Sequence, residues 1–300
     1  MPTPRRLPLP AVSAALALAL VAVGCSPGAA SPSPASDAPS PAASPSDTAG
    51  SVDHPTGATD VILRFEEGGG MLMVDFAVTQ APIFTLYGDG TVVVRDPAAQ
   101  PPPAANGLMV NAPFRTARLS EEQIQSLLSF AVAEGGLGAA RERYEHPTVT
   151  DVGTAVFTIN AGGRSKTVSV YALGFEDAPD QLARSQFERL ADRLRTFEQA
   201  ESFEMEDYEP HAWRAVMIES PGVAAKTFPW PWPEIEPADF ETVLDDPTLP
   251  TLPFHTLTAD DVAAMGLGEL PGGVMGYYVN APDGKTYSIP IRPLLPDEER

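Results

Sequence analysis

TAVFTINAGGRSKTVSVYA, residues Thr154–Ala172, carries the fold in its pattern. Two β-rich runs, Thr154–Asn160 and Lys166–Ala172, flank Ala161-Gly162-Gly163-Arg164. Glycine tolerates the positive φ of a tight hairpin turn, so the stretch predicts two antiparallel strands. Val156 and Thr158 fall on one face, Phe157 and Ile159 on the other. Such imperfect alternation fits a strand covered in part on both faces. Gly162-Gly163 lacks the Gly-Lys-Ser/Thr ending and following helix of a phosphate loop, so it reads as a turn.

The same grammar runs upstream. Val61–Phe65 is apolar and partly β-branched, Gly68-Gly69-Gly70 punctuates it, and Leu72–Val78 follows as another strand-like run. Ile83–Tyr87 and Thr91–Val94 flank Gly88-Asp89-Gly90 and predict a second hairpin. Asp89 alone supplies too few oxygens for calcium, so turn chemistry is its role. Ala98–Pro113 reads as a Pro/Ala loop. Ser120, with Gln123 three residues on, precedes Ile124, Leu127, Leu128, Ala131 and Val132 at helical spacing. That is a capping box opening an amphipathic helix, which Gly135-Gly136 stops.

Downstream, Pro179–Gln199 predicts the longest helix. Leu182, Phe187, Leu190, Leu194 and Phe197 form its apolar stripe, and Arg184, Glu188, Arg189, Asp192, Arg193, Arg195 and Glu198 populate the remainder. Asp177 or Asp180 is placed to cap it. Strands, helix, strands and helix joined by hairpins predict an α+β fold: a largely antiparallel sheet with two main helices on one face, over residues 55–200.

Composition shifts at Glu201. Glu201, Glu204, Glu206, Asp207 and Glu209 precede His211 and Trp213. The histidines stand at 54, 146, 211 and 255, never as near neighbours, so the cluster reads as a solvated acidic junction and no metal site is assigned. Ala212–Ile218 predicts a strand. Thr227–Pro233 alternates aromatics with prolines, which makes it rigid and extended. Trp230 and Trp232 are its candidate partner contacts, since tryptophan concentrates at binding hot spots; packing over the chain's own sheet is the competing role. Thr258-Ala259-Asp260-Asp261 caps a short helix, and Val274–Val279 with Lys285–Ile291 around an Asp283-Gly284 turn predict a third hairpin. Residues 201–300 thus read as a small C-terminal β-rich module, or as additional strands on the first domain.

The N-terminus reads differently. Arg5 and Arg6 precede the uncharged run Ala11–Val23. A basic segment before a short apolar one is a secretory signal peptide, here residues 1–24. A spanning helix needs about 20 apolar residues. The run ends in Ala22-Val23-Gly24-Cys25, which resembles the lipobox of bacterial lipoproteins. That resemblance covers roughly the first 25 residues. It implies cleavage between Gly24 and Cys25 and lipidation of Cys25, the chain's 1 cysteine. With Cys25 acylated, no thiol remains for a disulfide or a metal. Ser26–Gly50 is almost entirely Ser, Pro and Ala and has no large side chain to bury. Residues 25–54 therefore read as a lipidated cysteine on a stiff, disordered tether. The three hairpins and the Arg292–Pro296 ending are further similar to uncharacterised lipoproteins of high-GC bacteria, a likeness that carries no activity.

Charge bounds the partners. The chain holds 19 Lys+Arg against 40 Asp+Glu, a formal net charge of −21. A balance this acidic argues against nucleic acid and anionic lipid surfaces as partners. Gly-x-Ser-x-Gly is absent from residues 51–300, and Ser-x-x-Lys and His-Glu-x-x-His are absent throughout, so no catalytic residue is assigned and no cofactor is expected. The reading is a lipoprotein on the extracytoplasmic face of the cell membrane, acting as a binding or interaction module for an envelope protein or glycan. The alternative is a carboxylate-based hydrolase of envelope polymers, because acids are plentiful.

Overall fold

A computed structural model describes residues 50–96, 99, 107–200, 204–220, 226–244 and 251–299. The signal peptide, Gly24, Cys25 and the tether through residue 49 lie outside the described residues, as do Glu201 and half of the Pro/Ala loop.

The elements run β1 (Val61–Gly68), α1 (Val74–Val78), β2 (Phe84–Tyr87), β3 (Thr91–Val94), β4 (Met109–Val110) and β5 (Arg115–Arg118). Then come α2 (Glu121–Val132), β6 (Arg143–Tyr144), β7 (Thr154–Ala161), β8 (Arg164–Tyr171), α3 (Gln181–Arg195) and α4 (Phe197–Ala200). β9 (Glu206–Asp207), β10 (Trp213–Val216), β11 (Ile218–Glu219), β12 (Phe228–Pro229), a 3-10 turn at Pro237–Asp239 and β13 (Thr242–Val243) follow. The chain closes with β14 (Pro253–Leu257), α5 (Ala259–Ala264), β15 (Val274–Met275), β16 (Tyr278–Asn280), β17 (Thr286–Ser288) and β18 (Ile291–Pro293). Among the described residues the strand pairs are antiparallel except β6 with β8 and β12 with β16. The fold is mixed α+β with mostly antiparallel sheets.

An eight-stranded sheet runs β6-β8-β7-β1-β2-β3-β5-β9. Its centre is the β7–β8 hairpin paired to β1, with Phe65 opposite Phe157 and Leu63 opposite Ile159. The turn is glycine because φ is +61° at Gly162 and +69° at Gly163. Along β7 every second residue is buried: Ala155, Phe157, Ile159 and Ala161. Phe65 and Phe157 stack with centroids 4.9 Å apart, and Phe157 also meets Phe187 of α3. Ile124, Leu127 and Leu128 of α2 and Phe187, Leu190 and Leu194 of α3 join the same core. Burying each such side chain contributes about 1.5–3 kcal/mol. The Ser120–Gln123 capping box forms in both directions, at 3.3 Å and 2.7 Å.

A six-stranded sheet, β13-β14-β10-β18-β15-β4, and a four-stranded sheet, β11-β17-β16-β12, build a second core around Trp213, Trp232, Tyr277, Tyr287 and Ile291. The Thr258 capping box forms as the sequence predicts. Two strands cross between regions: β4 leaves its neighbours in sequence to pair with β15, and β9 pairs with β5. After β18, Leu295 packs with Tyr87, Val93, Phe114 and Tyr208.

Several sequence expectations are corrected. Leu72–Val78 is not a strand: Val74–Val78 is a helical turn, ended where the Thr79 hydroxyl donates to the Asp75 and Phe76 carbonyls. Part of the expected Pro/Ala loop is strand, at Met109–Val110. Asp180 occupies the N-cap position of α3 but sits at φ +61° and gives no side-chain cap; its carboxylate pairs with Arg141 instead. Leu182 leaves the apolar stripe, 78% exposed, while Arg184 is buried. The Arg184 guanidinium donates to the carbonyls of Glu145, Tyr171, Ala172 and Pro179, so the backbone disperses its charge. The third hairpin is split. β16 and β17 pair in the four-stranded sheet while β15 and β18 pair in the six-stranded one, with Gly276 at φ +72° and Pro290 at the breaks.

Candidate functional site

A cavity of about 610 Å³ lies beside α1, the end of β3, and β4. That is the size of ordinary small-molecule sites. Phe76, Ile83, Leu108, Met109, Val110 and Met275 supply its apolar wall, and Glu67, Gln80, Arg95, Asp96 and Asn111 its polar groups.

Local structure explains the positions. The α1 turn, closed by Thr79, swings Phe76 and Gln80 to one side. Arg95 follows the buried strand Val92–Val94, and its backbone N–H donates to Ile83 at 2.9 Å. Gly272 and Gly273 let β4 approach: a Cβ on Gly272 would lie 2.2 Å from the Asn111 and Ala112 carbonyls, and Gly273 has φ +85°. Asn111 donates its backbone N–H to Gly273 at 3.0 Å, which fixes the far wall.

Arg95 is the electrostatic centre. Its Nη1 donates to the Thr79 carbonyl at 3.2 Å, and the guanidinium lies 5.3 Å from the Phe114 ring centre. Among the described residues no carboxylate forms an ion pair with it. Burial, with the Arg292 charge adding to it, brings Arg95 down to about 10, so it stays cationic at neutral pH. By contrast Glu67, on the same cavity, is gripped by Arg195 through both carboxylate oxygens. Asn111 is almost fully buried, and its enclosed Nδ2 has no hydrogen-bond partner among the described residues. Met109 at the cavity is 51% exposed, and Met71 and Met73, leading into α1, are exposed too.

Trp230 and Trp232 stand elsewhere. They line a second, more open depression of about 520 Å³ with Ile235, Asn280 and Pro282. Trp232 is 2% exposed, within the second core, and its Nε1 donates to the Asp261 carbonyl at 2.9 Å. Trp230 is half-buried, and its Nε1 donates to the Ile235 carbonyl at 2.7 Å. The two rings meet edge to face, 5.2 Å apart. Both indole N–H groups are thus used internally. Asp89 takes the turn role, accepting from the Thr91 N–H at 2.9 Å and pairing with Arg118. Glu206 and Asp207 are exposed, and among the described residues no three His, Cys, Asp or Glu side chains converge as a metal site. No helix among them is long and apolar enough to cross a membrane.

Sequence reading did not single out Arg95 or Asn111. The one local signal was an arginine directly after the apolar run Thr91–Val94; the wall opposite it comes from sequence far away. Comparison with known proteins returns no matching family model, no matching curated protein and no matching solved structure.

Proposed function

We propose that this protein is a ligand-binding lipoprotein, anchored to the cell membrane through Cys25 and working on its extracytoplasmic face. The observation that carries the binding role is the cavity, where an apolar wall surrounds a cation with no carboxylate partner among the described residues. The lipobox resemblance at Gly24-Cys25 and the Ser/Pro/Ala tether support the anchored placement. Two or three acyl chains hold a protein stably at a membrane, and a stiff tether lifts the folded part clear of it. The partner is an envelope molecule, with Trp230 on the rim of the second depression as a further contact. The finer architecture belongs to this reading: two helices on one face of the large sheet, with residues 201–300 as a β-rich module carrying that contact.

Binding stands ahead of hydrolysis. Paired-carboxylate chemistry needs two acids free to act across a substrate. Of the two carboxylates on the cavity, Glu67 is held by Arg195.

The test is cross-linking on intact cells followed by mass spectrometry of the captured molecules, with Cys25→Ala and Met109→Glu as variants. The expected result is one dominant captured molecule, reduced by a charge at the cavity wall and lost without the anchor. Capture that is the same in all three chains would overturn the reading.

A further inference from the structure

We propose that the cavity takes an amphipathic monoanion: an apolar body with a single carboxylate-type head, the head paired to Arg95. This rests on the binding role argued above and narrows it to a class of ligand.

The wall sets the body. Phe76, Ile83, Leu108, Val110 and the thioether side chains of Met109 and Met275 offer apolar contact and little hydrogen bonding. Methionine is flexible and polarizable, so such a wall adapts to bodies of differing length and shape.

The polar end sets the head. A half-buried guanidinium with no ion-paired carboxylate among the described residues gains from an incoming anion. Its planar fork matches a carboxylate, and with one N–H committed to Thr79 it keeps donors to offer. Guanidinium donors left to offer select an acceptor head.

Neighbouring charge sets the valence. Asp96 also lines the cavity, Glu67 is there though compensated by Arg195, and the chain as a whole is strongly acidic. One guanidinium against that background balances one negative charge. A dianion such as a phosphate monoester would carry its second charge toward Asp96.

The test is calorimetric titration of the purified full chain with three probes at matched chain length: decanoate, decanol and decyl phosphate, at pH 8. Decanoate is expected to bind at one site, at least about tenfold tighter than decanol and than decyl phosphate. Arg95→Gln is expected to weaken decanoate about tenfold and to leave decanol unchanged. The ratio between probes on the unaltered chain decides the matter even where Arg95→Gln fails to fold. Equal binding of decanoate and decanol would overturn the assignment of the head while leaving the cavity a binding site. Tighter binding of decyl phosphate would overturn the valence. Absence of binding by all three at millimolar concentration would overturn the ligand class, and the cross-linking result then stands or falls separately.

Discussion

The two hydrophobic cores are built on opposite principles. The first rests on long local pairings: β7 and β8 are each eight residues, joined by two glycines, and α2 and α3 contribute aliphatic and phenyl side chains. The second has strands of two to five residues, prolines at Pro253, Pro290 and Pro293, and a filling in which Trp213, Trp232, Tyr277 and Tyr287 join the aliphatic side chains. Long hairpins gather their hydrogen bonds from near neighbours in sequence. The short strands depend on distant partners, β10 on β14 and β18, β4 on β15, and on large rings that bury much area per residue. The first region therefore organises itself, and the second is organised by what it packs against.

The largest expected effect tests whether the two cores melt together. All 3 tryptophans, Trp213, Trp230 and Trp232, belong to the second core or pack on it, so tryptophan fluorescence reports that region alone. Far-UV circular dichroism reports mainly α2 and α3. Phe157→Ala empties the centre of the first core and is expected to cost about 4 kcal/mol. Because β4, β9 and the segment after β18 tie the regions, both signals are expected to shift together in urea. Separate transitions would break the comparison into two independent folds.

Next in size is Arg184→Ala, expected to cost about 3 kcal/mol because the carbonyls it serves lose their donors. Arg184→Lys is expected to recover only part of this, since an ammonium cannot span the same carbonyls. Denaturant midpoints check both; a loss no larger than that of an exposed arginine would count against the burial.

Acid should act through the closing segment. Burial opposes ionisation of Glu298, but the Arg292 guanidinium outweighs it and holds the carboxyl at about 2. A depressed folded value means that the stabilisation is complete above the ordinary value of 4.5 and is lost as pH falls from there through about 2. Its full size is about 3 kcal/mol. Glu66, raised by its burial, works the other way and favours the fold as it takes up a proton. Glu298→Gln is expected to be less stable than the parent chain at pH 7, with the gap closing in acid. Urea midpoints at pH 7, 4 and 2.5 would show a constant gap if the pair contributed nothing.

The smallest effect sharpens the contrast. Ser120→Ala and Thr258→Ala remove matching capping boxes from α2 in the first region and α5 in the second. Each is expected to cost about 1 kcal/mol. In thermal melts the two losses should be alike, since a cap is local and indifferent to the core beneath it.

What could be read from the sequence follows the same division. The Gly162-Gly163 hairpin, the Gly88-Asp89-Gly90 turn and both capping boxes were readable because every residue that decides them lies within a few positions. Leu72–Val78 misled because an apolar run of that length is compatible with strand or helix, and the choice is settled by neighbours. Arg184 sits among charged residues at helical spacing, and only the carbonyls of Tyr171, Ala172 and Glu145 make it a buried one. The split of the third hairpin and the cavity around Arg95 both depend on β4, two residues inside what reads as a Pro/Ala loop. Long-range pairing of a short strand leaves almost no local trace.

The segment after β18 has a consequence for the order of assembly. Arg64 and the Tyr87 hydroxyl, both on the large sheet, bond Asp297, while Leu295 and Tyr208 cover Tyr87 and Val93. These strands are made early in synthesis and their cover is made late. Until residues 294–298 have emerged, that face of the sheet exposes an uncompensated Arg64 and apolar surface that invites association with other chains. A chain stopped before Arg292 would hold a finished hairpin scaffold with one side open. Completion of the fold thus waits on a segment made long after the strands it covers, which acts as the clasp of a structure whose frame is already standing.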